Sequence, residues 1–386
     1  MKKQKICIIG GSLTALVTAI TLSKMNCEID LIIGNSQENQ KSNRTTAISH
    51  DNFNFLKKLN ISKLPNEYVW ACSIMKLYTE TENKNFSKVL ELSNENKKEK
   101  VLYMMQNSKI TKLMMKKIRK TKSISIIKHE KISEVKDLGL LKSIKLNNKD
   151  HKYNLIIMCT GSNSELVKNN FVDTKIENSY KEESITTILK HKSKKNNIVR
   201  QIFLDNEIIA MLPISNTMTS IVWCKKKDKK KKNYFYKSKI KLYTSRHLKN
   251  ISFFSDLEFR KLNFLIRKKY YKDRILLFGD ALHVMHPFVG QGFNMILRDL
   301  ASLEKVLNEN LSLGLDVGSS DILSEFSKKT KPANFAFSVS TDILKHSFSQ
   351  KNVYFKEARN KFFKILNKNN FVKNIFFNMA DKGFRF

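Results

Sequence analysis

The sequence predicts an α/β fold: a Rossmann-like domain, an inserted β-rich lobe and C-terminal helices. Three observations predict it. Apolar runs at Lys5–Ile9, Leu155–Met158 and Ile275–Phe278 each lead into a glycine within a few residues, as buried parallel strands do before a turn. The region from about 170 to 260 carries strand signals at 200–204, 207–213 and 219–224, with Pro213 bounding one of them. From about 293 onward the pattern is helical.

In chain order, Lys5–Ile9 is read as the first buried strand. Leu13–Lys24 follows as a helix, with Leu13, Leu16, Val17, Ile20 and Leu22 on one apolar stripe. Ile29–Ile33 is the second parallel strand, which completes a βαβ unit. The same region has a rival reading. Lys2, Lys3 and Lys5 precede eighteen uncharged residues, Ile6 to Ser23, as in a signal peptide or membrane anchor. The glycine pair, five Ser/Thr residues within the run and the strand at βαβ distance favour the buried unit. Further on, Ala47–Leu59 and Ile110–Ile118 are read as helices, and Ser123–Ile127 and Leu141–Leu146 as strands. Met295–Leu307 and Ile322–Lys328 begin the helical C-terminal part.

The chain has 386 residues, 41% of them hydrophobic, which suffices for a sizeable core and excludes a disordered polyelectrolyte. With 71 Lys plus Arg against 35 Asp plus Glu, the formal net charge is +36. Such a charge attracts nucleic acid or an anionic membrane. Only ten of the 71 basic residues are arginine, however, and Lys, Asn and Ile are all heavily used. Their codons are AT-rich, so a lysine-coated surface from a biased genome is the plainer reading. A membrane surface ranks ahead of nucleic acid, for which no recognised motif is present. Lys225–Lys232 holds seven lysines in eight residues and is read as a solvated loop, with an interfacial patch including Tyr234, Phe235 and Tyr236 as the alternative. Five cysteines, none spaced Cys-x-x-Cys, argue against a disulfide framework or zinc site and fit a reducing cytoplasm.

Two glycine-containing segments carry the chemistry. Strand, Gly10-Gly11-Ser12-Leu13-Thr14-Ala15, then helix is a dinucleotide-binding arrangement. The first glycine makes the turn, and the helix N-terminus attracts phosphate. Ser12 stands at the second glycine position and Ala15 at the third. The second segment runs from Gly279 to Asp299. There a buried strand ends in Gly279-Asp280, whose carboxylate suits sugar-like hydroxyls. After Pro287, Gly290-Gln291-Gly292 opens a helix whose free N–H groups suit an electron-rich ring edge or an anion. His283 and His286 lie three apart with no third ligand type, so no metal site is expected.

The run Gly279-Asp280-Ala281-Leu282-His283 … Pro287-Phe288-Val289-Gly290-Gln291-Gly292-Phe293-Asn294 resembles the signature of FAD-dependent aromatic hydroxylases related to para-hydroxybenzoate hydroxylase. Its extension Met295-Ile296-Leu297-Arg298-Asp299 is similar to the branch that hydroxylates ubiquinone precursors. Arg44–Ser49, Tyr103–Asn107, Gln201–Leu204, Ile208–Ile214, Ser220–Trp223 and Thr341–Leu344 with Phe348 and Ser349 resemble further segments in family order.

The resemblance implies an FAD-binding domain from 1–75, 100–169 and 262–330, a β-rich substrate domain from 76–99 and 170–261, and a helical segment from 331–386. It implies that Gly10, Gly11 and Ser12 face the FAD pyrophosphate, and that Arg44 and Gln106 contact the phosphate or ribityl region. Asp280 holds the ribityl chain and Pro287 lies by the flavin ring. Gly290, Gln291 and Gly292 present N–H groups to its pyrimidine edge, and Asn294 supports that loop. NAD(P)H reduces FAD, oxygen forms a C4a-hydroperoxyflavin, and one oxygen atom passes to the ring of a polyprenylated phenol. No catalytic side chain is required. His283 and His286 are read as structural, with tuning of the ring as the alternative. Anionic membrane and a ubiquinone-biosynthesis complex are the implied partners, at the inner membrane periphery. Ser12, Gly34 (where a ribose-binding acid belongs) and Thr160 (where the family has Asp) depart from the pattern, so a protein electron donor is the alternative to NAD(P)H. Other functions kept open are a prenyl reductase, a small-aromatic hydroxylase, or a cofactor-degenerate accessory subunit.

Overall fold

The N-terminal apolar run forms strand Gln4–Ile9, from which a six-stranded sheet spreads on both sides. The structure, a computed structural model, describes residues 3–34, 42–61, 68–80, 85–94, 96, 99–128, 132, 134–146, 149–171, 175–228, 232–287, 290–349, 352–369, 374, 378–379 and 381–383. Gln4–Ile9 pairs in parallel with Cys27–Ile33 on one side and Leu155–Met158 on the other. Ile275–Leu277 and Ile124–Lys128 extend the sheet in parallel, and short Tyr271–Lys272 closes one edge antiparallel. Strands covered on both faces need apolar residues at every position, which is why these segments read as unbroken runs.

Helix Leu13–Leu22 connects the first two strands, and nine of its ten residues are buried. The uncharged run Ile6–Ser23 is thus taken up by a core strand and a core helix. Among the described residues no helix is long and apolar enough to cross a membrane. The turn between strand and helix depends on Gly10. Its φ is +142°, and a Cβ there would stand 2.7 Å from the Cys159 carbonyl oxygen.

A nine-stranded sheet forms the second layer. Its core runs Glu258–Arg267, Lys175–Lys190, Met218–Lys226, Glu207–Pro213, Ile198–Leu204, Ile74–Glu80 and Phe86–Ser93. One face packs Ile202, Ile209, Ile221 and Trp223 against Tyr236 and Ile240 of helix Asn233–Thr244. The opposite face carries Met75, Val199 and Leu212. A three-stranded sheet of Thr45–Ser49, Leu102–Gln106 and Val69–Cys72 sits in a third position. Helices Gly292–Ser312, Ser320–Ser349 (with Pro332 inside) and Val353–Lys368 follow in the C-terminal part.

Two expectations are corrected. The helix expected from Ala47 begins at His50, because β-branched Thr45, Thr46 and Ile48 pair antiparallel with Leu102–Gln106 instead. The lysine run is not a solvated loop throughout. Lys225 and Lys226 end strand Met218–Lys226, and Lys225 is only 6% exposed. Its ammonium sits 3.5 Å from Glu183 and 5.2 Å from the Tyr236 ring centre, so charge and cation–π contacts permit its burial. Lys229, Lys230 and Lys231 lie outside the described residues.

Candidate functional site

Between the layers lies a cavity of about 360 Å³, within the size range of small-ligand sites. Two helix N-termini meet it. Ser12, Leu13 and Thr14 bring the start of helix Leu13–Leu22, and Gly292 and Phe293 bring the start of helix Gly292–Ser312. Neither has a side-chain cap nor an acidic residue in its first turn. Their leading N–H groups and positive dipole ends therefore remain available to an electron-rich ligand. A Cβ at Gly292 would meet no atom of the described residues within 4 Å.

Arg44 reaches the same cavity, and its position is built from across the molecule. Glu258 accepts hydrogen bonds from Ser42 Oγ (3.2 Å) and the Asn43 backbone N–H (3.1 Å), and Ser42 Oγ in turn accepts one from Arg44 N–H at 3.2 Å. Asn107 N–H donates to the Arg44 carbonyl at 2.9 Å. Arg44 is solvent-exposed only in the sense that it faces the open cleft; protein atoms crowd it. This crowding, and Arg260 nearby, lower its pKa, while Asp280 and Glu258 act in the opposite direction. Arg260 lines the cavity too, but its Nε lies 2.9 Å from Glu258 Oε1, so Arg44 is the guanidinium better placed to meet an anion there.

Asp280 lines the cavity at the end of the Ile275–Leu277 strand. Its backbone turn rests on Gly279, whose φ is +66° and whose hypothetical Cβ would lie 2.5 Å from Thr14 Cγ2. Strand end and first helix therefore touch. Pro287 and Gly290 line the cavity as well. Gln291 is buried (4% exposed) and its Oε1 has no hydrogen-bond partner among the described residues.

Asn294 is fully buried. Its Nδ2 donates to the Ala47 carbonyl (3.0 Å) and the Gly290 carbonyl (3.4 Å), and its Oδ1 accepts from Ser49 N–H at 2.9 Å. One side chain thus ties the glycine loop to the Thr45–Ser49 strand. Gly10, Gly11 and Gln106 do not line the cavity themselves. Gly10 and Gly11 lie in the turn leading to Ser12, and Gln106 precedes Asn107, which does line it.

The two histidines part company. His283 Nε2 meets Asp299 Oδ2 at 2.9 Å, and Asp299 also accepts from Asn334 Nδ2. His286 Nε2 meets Glu182 Oε2 at 3.2 Å, while Lys345 Nζ lies 2.9 Å from Glu182 Oε1. Burial pushes the His286 pKa down, against the pull of Glu182. Burial also raises Glu182, but the bonds from His286 and Lys345 outweigh it and lower its pKa. Among the described residues no group of three His, Cys, Asp or Glu is placed to hold a metal ion.

Sequence reasoning gave no role to Asn107, Gln201, Arg260 or the apolar wall of Met75, Leu102, Val199 and Leu212, all of which line the cavity. Asn107 and Gln201 fall in segments that carry the family resemblance, but nothing in those segments marks either side chain. The others converge from strands remote in sequence, with no local motif to single them out.

Comparison with known proteins agrees with this architecture. The ubiquinone biosynthesis monooxygenase COQ6, mitochondrial, of Dictyostelium discoideum is 23% identical over 330 residues, covering 71% of this chain and 66% of that protein. The ubiquinone hydroxylase UbiL of Rhodospirillum rubrum is 22% identical, covering 64% and 59%. The chain therefore spans somewhat less than two thirds of these curated relatives. In fold it is similar to the p-nitrophenol 4-monooxygenase PnpA of Pseudomonas putida DLL-E4, with TM-score 0.79, 14% identity and coverage of 100% and 99%. It is also similar to a point variant of Klebsiella pneumoniae HpxO complexed with FAD, with TM-score 0.76, 12% identity and 98% coverage of both chains. The FAD binding domain family matches residues 3–334, most of the chain, and the protein belongs to that family.

Proposed function

We propose that the protein is an FAD-dependent monooxygenase that hydroxylates the ring of a polyprenylated phenol in ubiquinone biosynthesis. One observation carries the reading. A single cavity joins an anion-seeking end, made of two uncapped helix N-termini and Arg44, to an apolar wall of Met75, Val199 and Leu212. The first end fits FAD, and the wall fits an apolar ring. The names of the curated relatives support the same substrate class.

Bound FAD would supply reduction by NAD(P)H or a protein donor, activation of O2 and transfer of one oxygen atom. The chain's own part is positional. Ser12 and the helix behind it face the pyrophosphate, with Gly10 and Gly11 shaping the approach. Arg44, with Gln106 and Asn107 beside it, holds the phosphate or ribityl region, and Asp280 accepts from ribityl hydroxyls. Pro287, Gly290, Gln291 and Gly292 flank the ring system, braced by Asn294. The apolar wall keeps water from the reacting ring. No side chain is assigned a proton transfer.

The substrate class also bears on where the protein works. Phe335, Ile343, Tyr354, Phe355, Phe362 and Ile365 are exposed on the last two helices. Apolar side chains among an excess of lysine suit the surface of an anionic membrane, where a prenylated substrate resides.

The test is metabolite profiling of a deletion strain, together with product masses from the purified, flavin-loaded protein. Accumulation of one under-hydroxylated prenylphenol and a gain of one oxygen atom are expected. Normal quinone without such an intermediate overturns the reading.

A further inference from the structure

Gln201 stands out in the apolar wall. It is 2% exposed, lines the cavity, and its side-chain amide has no hydrogen-bond partner among the described residues. Its amide atoms are not among the side-chain atoms sealed away without a partner, so the amide is open to the cavity. A ligand group can take the place of water there and make a hydrogen bond in less polar surroundings.

Strand register shows what kind of group could do so. Thr186 pairs with Val222, Val222 with Ala210, and Ala210 with Gln201. These four residues form one row across four adjacent strands, and all four line the cavity. The row is polar at its two ends and apolar in the middle. Three strand spacings separate the ends, roughly 14 Å between backbones. The neighbouring row holds Leu212, Val199 and Met75, which line the cavity too. A flat apolar ring laid on Ala210 and Val222 would bring an edge substituent against the Gln201 amide.

We propose that Gln201 is a substrate-positioning residue that hydrogen-bonds a ring oxygen of the aromatic substrate. An amide both donates and accepts, so it holds a phenol O–H as acceptor and a phenolate or ring ether as donor. It thereby selects oxygenated rings over hydrocarbon rings of the same shape and fixes which ring edge points away from the sheet. The inference rests on the monooxygenase reading and deepens it.

The test measures equilibrium binding of a short-chain prenylphenol and the matching prenylbenzene to the FAD-loaded protein, read from the flavin absorbance change. The wild type is expected to prefer the phenol by about two- to tenfold, as one hydrogen bond in a protein site provides. Gln201→Leu, nearly the same volume, is expected to bring that preference close to one while flavin content and prenylbenzene binding stay unchanged. Gln201→Met is the second variant, and the ratio within each variant removes any general loss of folded protein. Thr186→Val, at the far end of the row, should leave the preference in place. Gln201→Leu keeping the full preference overturns the inference, and so does a wild type that binds both compounds equally. Those two results leave the monooxygenase reading intact. A wild type that binds neither compound overturns both.

Discussion

Asn294 Oδ1 accepts the backbone N–H of Ser49 at 2.9 Å, a bond between residues 245 apart in sequence. The same side chain donates to Ala47 and Gly290. Asn294→Leu leaves two buried backbone groups, Ser49 N–H and Ala47 C=O, without this partner. A destabilisation of about 2–4 kcal/mol is expected, with loss of retained flavin. Thermal melting with and without added FAD checks it. Asn294→Asp, which sets a buried carboxylate oxygen against the Ala47 and Gly290 carbonyls, should cost at least as much at neutral pH.

Gly279 and Thr14 are in similarly close contact. Gly279→Ala puts a Cβ against Thr14 Cγ2 at a positive φ, and about 2–3 kcal/mol should be lost. Thr14→Ser removes the clashing methyl. The double variant should recover part of that loss, which a double-mutant cycle in denaturant measures. Simple additivity would contradict the contact.

Arg44→Met should weaken FAD binding about 10- to 100-fold, since a charge-assisted contact in a partly enclosed site is removed. Arg44→Lys keeps charge but not the planar fork and should recover only part. Titration of the apoprotein with FAD at several salt concentrations reads this, and the wild type should show the steeper salt dependence. Unchanged affinity in Arg44→Met removes the residue from the cofactor site.

His247 offers a pH test away from the cavity. Burial, then Arg200, Lys194 and Arg246, push its pKa down to about 4. The unfolded chain binds a proton there near pH 6.5, whereas the folded protein does so only near 4. Between these values the unfolded state carries more protons, so folding stability falls as pH falls. The contribution is on the order of 3 kcal/mol at most. His247→Gln should flatten the stability profile between about pH 6.5 and 4. An unchanged slope would mean that His247 is protonated in the fold.

Phe355→Asp with Phe362→Asp should reduce co-sedimentation with anionic liposomes several-fold and leave FAD binding unchanged. Binding of the wild type should weaken with salt and vanish on neutral lipid. Indifference to lipid charge overturns the membrane assignment.

Much of the Rossmann-like layer was legible because strands covered on both faces cannot hide their apolar character. Leu155–Met158 coincides with its strand, and Ile275–Leu277 differs by one residue. Lys175–Lys190 escaped notice because its first half, Lys175 to Glu182, is largely exposed and charged, while only the second half is buried. Ala47–Ser49 reads as the start of a helix because Phe53 and Leu56, just beyond it, do lie on a helical stripe. At the site, Ser12, Arg44, Asp280, Gly290 and Gly292 line one cavity; of these, backbone geometry marks only Gly290, with φ +66°, while Arg44 stands out only through the family resemblance. The places of Gln201 and Arg260 were not legible, since ordinary strand positions gain meaning only when a distant segment lies opposite.

The central position of Gln4–Ile9 has a consequence for biosynthesis. Its flank is filled by Leu155–Met158, whose own outer edge is completed only when Ile275–Leu277 joins, after more than a hundred further residues have been made. At typical translation speed that is roughly ten seconds during which an apolar strand edge stays open on the ribosome. Asp280, Gly290 and Gly292 emerge later still. The cavity is therefore walled on that side only after these late segments have joined the sheet.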